Sequence, residues 1–100
     1  MKKTLGVIGG MGPLATVKLF EKIVFMTDAK SDQEHLHILI DNNTLIADRT
    51  SYILGHGENP LNELINSATR LQQMGADFLI MPCNTAHYFY DRICETLSIP

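Results

Sequence analysis

Hydrophobic and polar residues alternate along this chain in blocks, and the blocks predict short buried strands separated by helices. Continuous apolar runs are typical of strands covered on both faces, and they predict strands at Thr4–Ile8, Leu36–Ile40 and Phe78–Met81. Apolar residues at helical spacing predict helices from Leu14 to about Ala29, from Asn59-Pro60 to Gly75, and from Thr85 to Leu97. This βαβαβα order predicts an α/β fold with three αβα layers and a parallel sheet.

The first predicted helix has an unusually broad apolar face. Val17, Phe20 and Val24 form one stripe, which is widened by Leu19, Ile23 and Met26. A face that broad predicts a well-buried helix.

The loops that follow the three strands are expected to meet. Right-handed crossovers bring the carboxyl ends of parallel strands to one edge of the sheet, where such folds place their ligand sites. The loops are Gly9–Pro13, Asn42–Arg49 and Pro82–Thr85, and a helical turn at Thr50–Leu54 follows the second. The glycines, Arg49 and Cys83 are therefore expected around one crevice.

Composition narrows the function classes. A chain of 100 residues makes one small domain. Its net charge of −3, with no basic cluster beyond Lys2-Lys3, argues against nucleic-acid binding. Two cysteines without a CxxC motif argue against a disulfide scaffold or a zinc site. No apolar stretch approaches the roughly 20 residues of a membrane span, and we expect a cytoplasmic protein that binds neither membrane nor metal.

Cys83 is the strongest candidate for chemistry. It lies at the end of a predicted strand and faces the first amides of the next helix, which favour a thiolate. The alternative is a small buried hydrophobe. Asn84 and Thr85 are candidate hydrogen-bond donors to a ligand, or else helix caps. His87 follows by one turn and either tunes the thiol, forms a Cys–His hydrolase pair, or simply occupies the turn.

Several motifs together resemble one known family. Pro82-Cys83-Asn84-Thr85-Ala86-His87 closely resembles the first catalytic segment of the aspartate/glutamate racemase superfamily. The segments Gly6–Ala15, Asp48-Arg49-Thr50 and Gly75–Phe78 resemble the same family. The resemblance runs from Leu5 to Pro100 and is closest to the aspartate racemase branch.

The resemblance implies a cofactor-independent amino-acid racemase in which two cysteines act on opposite faces of the substrate. One thiolate removes the α-proton and the other thiol returns one, without pyridoxal phosphate or metal. Cys83 is the first of the pair. Independently of the resemblance, His87 is expected to lie next to the site without contacting the substrate. The substrate is a small amino acid, and its expected contacts are Met11, Gly12, Asn43, Arg49, Asn84 and Thr85. The planar fork of Arg49 suits the side-chain carboxylate of aspartate, although an arginine paired with Asp48 is the alternative.

The family has two similar α/β domains, each of which gives one cysteine, and its members commonly form homodimers. Residues 1–100 hold only the first segment, and Cys94 lies too close along the same helix to face Cys83 across a substrate. We therefore expect an incomplete N-terminal half, with the second domain absent and little or no activity alone.

Two alternatives come from other functional classes. Gly10-Met11-Gly12-Pro13-Leu14-Ala15 fits the G-x-G-x-x-A dinucleotide fingerprint, with Asp41 placed to take the ribose hydroxyls. The chain would then be a nucleotide-binding module. The other alternative is a non-catalytic fragment that associates through exposed core surface.

Overall fold

Three parallel strands form the sheet in the computed structural model, which describes residues 2–100. The strands are β1 (Thr4–Gly9), β2 (His37–Asn42) and β3 (Phe78–Ile80), in the order β2-β1-β3. The central strand β1 places Leu5 between Ile38 and Phe78. Both neighbours run parallel to it, so the carboxyl ends of all three strands meet at one edge, and the predicted α/β fold class is confirmed.

The helices begin and end at residues suited to those positions. They are α1 (Pro13–Met26), α2 (Arg49–Ile53), α3 (Leu61–Gln73) and α4 (Tyr90–Cys94), with 3₁₀ turns at Asp32–Glu34 and Thr85–Phe89. Pro13 fits the start of α1 because the first helical N–H has no intrahelical partner. Gly75, at a φ of +104°, follows α3 in a left-handed conformation that favours glycine.

The core lies between the sheet, α3 and the C-terminal segment. Helix α3 buries Leu64, Ala68 and Leu71 at the predicted helical spacing. The other apolar members of this core include Ile8, Met11, Ile46, Ala76, Ala86, Phe89 and Ile93. No helix among residues 2–100 is both long and apolar enough to cross a membrane.

The prediction that α1 is well buried was wrong. Val17 is 61% exposed and Phe25 is 79% exposed, whereas Thr16 is the one buried residue of the helix. An apolar stripe shows that a helix can be covered, but burial also needs a partner. Within residues 2–100, no other helix or strand packs extensively against α1.

The last predicted helix is also different. In place of one helix from Thr85 to Leu97, the chain forms the 3₁₀ turn Thr85–Phe89 and then the short helix α4. Consecutive aromatic residues have modest helix propensity, and Phe89, which packs into the core, has a non-helical φ of −100° where the two segments join. Strand β2 is shifted as well, since it starts at His37 and continues to Asn42.

Candidate functional site

The strand-end loops form the candidate site, and the first two are joined directly. Asn42 lies opposite Gly9 in the sheet, and the Asn43 amide donates a 3.1 Å hydrogen bond to the Gly9 carbonyl. Gly10 has a φ of +95°, and a Cβ there would lie 2.4 Å from the Asn43 carbonyl carbon. Only glycine allows this close approach of two backbones.

Cys83 is half-buried and lies three residues after the end of β3, where the chain turns into the 3₁₀ segment. Its Sγ atom is 3.4 Å from the Thr85 hydroxyl oxygen. Partial burial raises the pKa of the thiol, but hydrogen bonds from the Thr85 hydroxyl and the Ala86 amide and the nearby Arg49 guanidinium outweigh it. The net effect lowers the pKa of Cys83 below its ordinary value, and the thiolate is correspondingly favoured.

Arg49 is the first residue of α2, and its guanidinium makes a hydrogen bond to nearby backbone rather than an ion pair. One guanidinium nitrogen donates to the Ala47 carbonyl at 3.2 Å, whereas the buried Nε has no hydrogen-bond partner within residues 2–100. Asp48 caps α2 by accepting hydrogen bonds from the Ser51 amide and hydroxyl, and these bonds lower the pKa of Asp48. The Arg49–Asp48 ion pair does not form among the described residues.

Asn84 and Thr85 are exposed beside the thiol. Asn84 occupies the cap position of the 3₁₀ turn, but its side chain makes no capping hydrogen bond. Its amide group therefore remains available to a ligand, which removes the main alternative to a binding role. Thr85 directs its hydroxyl to Cys83, so this residue acts on the thiol as well as facing the crevice.

The glycine loop presents backbone rather than side chains. Met11 is 7% exposed and belongs to the hydrophobic core, so its side chain points away from any ligand. A Cβ at Gly12 would meet nothing within 4 Å. The peptide bond between Met11 and Gly12 is cis. Contacts from this segment to a substrate are therefore limited to its main-chain groups.

The side chain of Asn43 is already occupied. Its Nδ2 donates to Glu63 at 3.0 Å and to Ser67 at 2.9 Å, and its Oδ1 accepts from the Leu45 amide at 3.0 Å. Asn43 is 5% exposed. These contacts favour a structural role, in which Asn43 ties the loop after β2 to α3, over the predicted contact with substrate.

Two buried hydroxyl residues, Ser67 and Thr16, were missed by the sequence analysis. Ser67 is fully buried and donates to Asp41 at 2.7 Å, while Thr16 is 5% exposed and contacts the glycine loop. Their positions in the sequence could have revealed them, because each lies on a helix face that is otherwise mainly apolar. A hydroxyl at such a position predicts a specific buried partner.

His87 braces the end of β3 rather than the thiol. Its Nε2 donates to the Met81 carbonyl at 2.8 Å, and its ring stacks on Tyr90 with centroids 6.1 Å apart. With its Nε2 proton on a carbonyl, this nitrogen is not placed to take a proton from Cys83, and a supporting role for His87 at the site stays a prediction.

Asp41 does not support the dinucleotide alternative. Its Oδ2 accepts from Ser67 and forms a 3.0 Å ion pair with Arg70. The carboxylate needed for the ribose hydroxyls is thus committed to α3. Among the described residues, no three metal-ligating side chains lie together.

Comparison with known proteins agrees with this geometry. Residues 8–100 match the family model described as Asp/Glu/hydantoin racemase. The chain belongs to this family. The predicted resemblance is thereby confirmed, and the nucleotide-binding alternative is not favoured.

Individual racemase relatives extend well beyond the matched region. The chain is 32% identical to the broad specificity amino-acid racemase RacX of Bacillus subtilis (strain 168), covering 96% of this chain and 43% of RacX. The aspartate racemase of Picrophilus torridus superposes with a TM-score of 0.84 at 39% identity, covering 98% and 41% of the two chains. An aspartate racemase homologue from Pyrococcus horikoshii OT3 shares the fold, with a TM-score of 0.77 at 24% identity. That match covers 100% of this chain and 43% of the homologue. The chain thus spans less than half the length of these relatives.

Proposed function

We propose that this chain supplies one catalytic half of a cofactor-independent amino-acid racemase, with Cys83 as an acid/base thiol and aspartate as the substrate. The observation that carries the proposal is the placement of a half-buried thiol with a lowered pKa beside an arginine whose buried Nε lacks a hydrogen-bond partner within residues 2–100.

The environment of Cys83 fits proton transfer at a carbon. An amino-acid α-proton is weakly acidic, so its removal needs a base that is largely ionised and fixed donors that stabilise the developing enolate-like oxyanion. The lowered pKa of Cys83 increases the fraction of this thiol that is ionised. The exposed side chain of Asn84 and the Gly12 N–H are the proposed donors. The one hydroxyl proton of Thr85 goes to Cys83, so the Thr85 oxygen is proposed to accept from the substrate ammonium group.

Arg49 is the proposed recognition group for a dicarboxylic substrate. A guanidinium presents several donors in a plane and binds a carboxylate through two of them. Arg49 uses one nitrogen on the Ala47 carbonyl and also acts on the Cys83 thiol, and its buried Nε has no partner within residues 2–100. We propose that the substrate carboxylate satisfies the remaining donors once it enters the crevice. The same positive charge lowers the pKa of the thiol, so one side chain both selects an acidic substrate and activates the base.

Racemisation by two bases requires a second acid/base group on the other face of the substrate. Cys94 does not fill this role, because it cannot face Cys83 across a substrate. It is exposed on α4 and lines the apolar groove beside β3 together with Tyr90 and Leu97. We propose that the second cysteine comes from a second domain, that residues 1–100 alone have little or no activity, and that the complete enzyme is a cytoplasmic homodimer without metal or pyridoxal phosphate.

Alkylation of single-thiol variants tests the role of Cys83. In a Cys94→Ser chain, iodoacetamide modifies Cys83 alone, and the rate is followed by mass spectrometry at several pH values. We expect half-maximal reactivity below the ordinary cysteine value of about 8.5, and protection by aspartate that is weaker for alanine. The Cys83→Ser chain, in which Cys94 is the sole thiol, is the matched control and should show no protection. Unprotected Cys83 at saturating aspartate would refute substrate binding at this site.

Solvent-deuterium exchange tests the predicted inactivity. The purified chain is incubated with L- or D-aspartate in D₂O, and the α-proton signal is followed by NMR. We expect no racemisation and, at most, slow exchange that the Cys83→Ser substitution removes. Rapid interconversion of the two enantiomers by this chain would contradict the need for a second half.

A further inference from the structure

Thr16 is the one buried residue of a helix that is otherwise largely exposed. It lies one turn into α1, beneath the glycine loop that connects β1 to this helix. Its methyl and hydroxyl groups pack against Gly9, since a Cβ at Gly9 would lie 2.7 Å from Thr16 Cγ2 and 2.8 Å from Oγ1.

The Thr16 hydroxyl bridges the two ends of the loop. Its oxygen accepts a 3.0 Å hydrogen bond from the Gly10 amide, and the same hydroxyl donates a 3.1 Å hydrogen bond to the Gly12 carbonyl. The Thr16 amide also donates to the Gly12 carbonyl at 3.2 Å. A single side chain therefore fixes an amide on one side of Met11 and a carbonyl on the other.

These two hydrogen bonds of the Thr16 hydroxyl act as a clamp on the loop. The loop needs one because its glycine-rich sequence does not by itself restrict the backbone conformation. Glycine loses more conformational freedom on folding than any other residue, and three glycines stand within Gly9–Gly12. Asn43 holds the loop from the β2 side through its amide and the Gly9 carbonyl. Thr16 holds it from the α1 side, where little else is packed.

We propose that Thr16 is a positioning residue that sets the conformation of the Gly10–Gly12 backbone before substrate binds. The proposal rests on the proposed racemase function for the identity of the ligand, whereas the clamp itself is a property of the loop. A serine in place of Thr16 should retain the function and a valine should lose it, because the hydroxyl is the required group.

Amide hydrogen exchange measures the clamp directly. Thr16→Val removes the hydroxyl and keeps the branched shape, so we expect the Gly10 amide to exchange about tenfold faster relative to the Val7 amide in β1, since one lost hydrogen bond changes a local opening equilibrium by about that factor. Thr16→Ser should match the wild type. Thr27→Val is the matched control, because the Thr27 hydroxyl bonds the Ile23 carbonyl at the far end of α1.

Aspartate binding, followed by NMR titration of the same four chains, gives the functional consequence. We expect the dissociation constant of Thr16→Val to rise about tenfold, with no change in Thr16→Ser or Thr27→Val. If the wild type does not bind aspartate, the proposed substrate is wrong, while the Gly10 exchange still decides the role of Thr16.

Two results would overturn the proposal. One is wild-type Gly10 exchange in Thr16→Val, and the other is an equal acceleration in Thr16→Ser. Should the valine variant fail to fold, Thr16→Cys replaces it, because a thiol is close to a serine hydroxyl in shape and is a weak donor and acceptor. Faster Gly10 exchange in Thr16→Cys than in Thr16→Ser supports the clamp, and equal exchange refutes it.

Discussion

Replacing Ser67 by alanine should destabilise the protein far more than its small size indicates. The Ser67 hydroxyl is fully buried, donates to the Asp41 carboxylate at 2.7 Å and accepts from Asn43 Nδ2 at 2.9 Å. Removing it leaves one N–H of Asn43 without its partner and takes one donor from a charged acceptor. A buried donor left unsatisfied costs about 1–3 kcal/mol, and a hydrogen bond to a charged group contributes about 1.5–3 kcal/mol.

The two contributions overlap, because Arg70 still donates to Asp41 and Asn43 still donates to Glu63. We therefore expect the free energy of unfolding to fall by about 2–4 kcal/mol. This is a large part of the roughly 5–15 kcal/mol typical of a domain. At a slope of about 1–3 kcal/mol per molar urea, the urea midpoint should fall by about 0.7–4 M.

Urea unfolding followed by circular dichroism provides the measurement. Ser98→Ala is the matched control, because within residues 2–100 Ser98 makes a hydrogen bond through its backbone amide and none through its side chain. A double-mutant cycle with Asn43→Ala should show coupling, since the two residues share one hydrogen bond. A loss below about 0.5 kcal/mol, typical of surface substitutions, would refute the argument that this network holds the loop carrying Arg49.

Three further results are expected. Because the pKa of Cys83 is lowered on folding, the stability of the wild type relative to Cys83→Ser should increase as pH rises towards the ordinary value of about 8.5 and be lost as pH falls through the folded pKa. The measurement is the difference in urea midpoint between the two proteins at several pH values, and a difference that does not change with pH would contradict the shift. Gly10→Ala should lower the melting temperature strongly, because the new Cβ meets backbone at 2.4 Å and the φ is positive, whereas wild-type melting would show that the loop yields freely. Leu64→Ala should lower the free energy of unfolding by about 2–5 kcal/mol, whereas Val17→Ala should lower it by less than about 0.5 kcal/mol. Urea titrations measure both, and comparable losses in the two variants would contradict the exposure of α1.

The strands and their loops could be predicted because the information is local. Apolar runs mark β1 and β3 within a residue or two, and the handedness of parallel crossovers then brings Arg49 and Cys83 to one edge. The lowered pKa of Cys83 follows largely from the turn that begins at Thr85, to which the charge of Arg49 adds.

The rest depends on partners distant in sequence. Whether the apolar stripe of α1 is buried depends on what packs against it. The periodicity of apolar residues carries no information about that partner. Asn43 has a polar side chain in a site loop, yet its hydrogen bonds go to α3 residues more than twenty positions away. The final helix divides where Phe89 turns into the core.

The surroundings of Cys83 that favour proton transfer also expose the chain to oxidants. A thiolate reacts with hydrogen peroxide by attack of sulfur on one oxygen, which gives a sulfenic acid and releases hydroxide. Susceptibility rises with thiolate character and accessibility, and Cys83 has a lowered pKa and is only half-buried. Aerobic storage should therefore add oxygen to Cys83, and a reducing agent belongs in every buffer used for this protein.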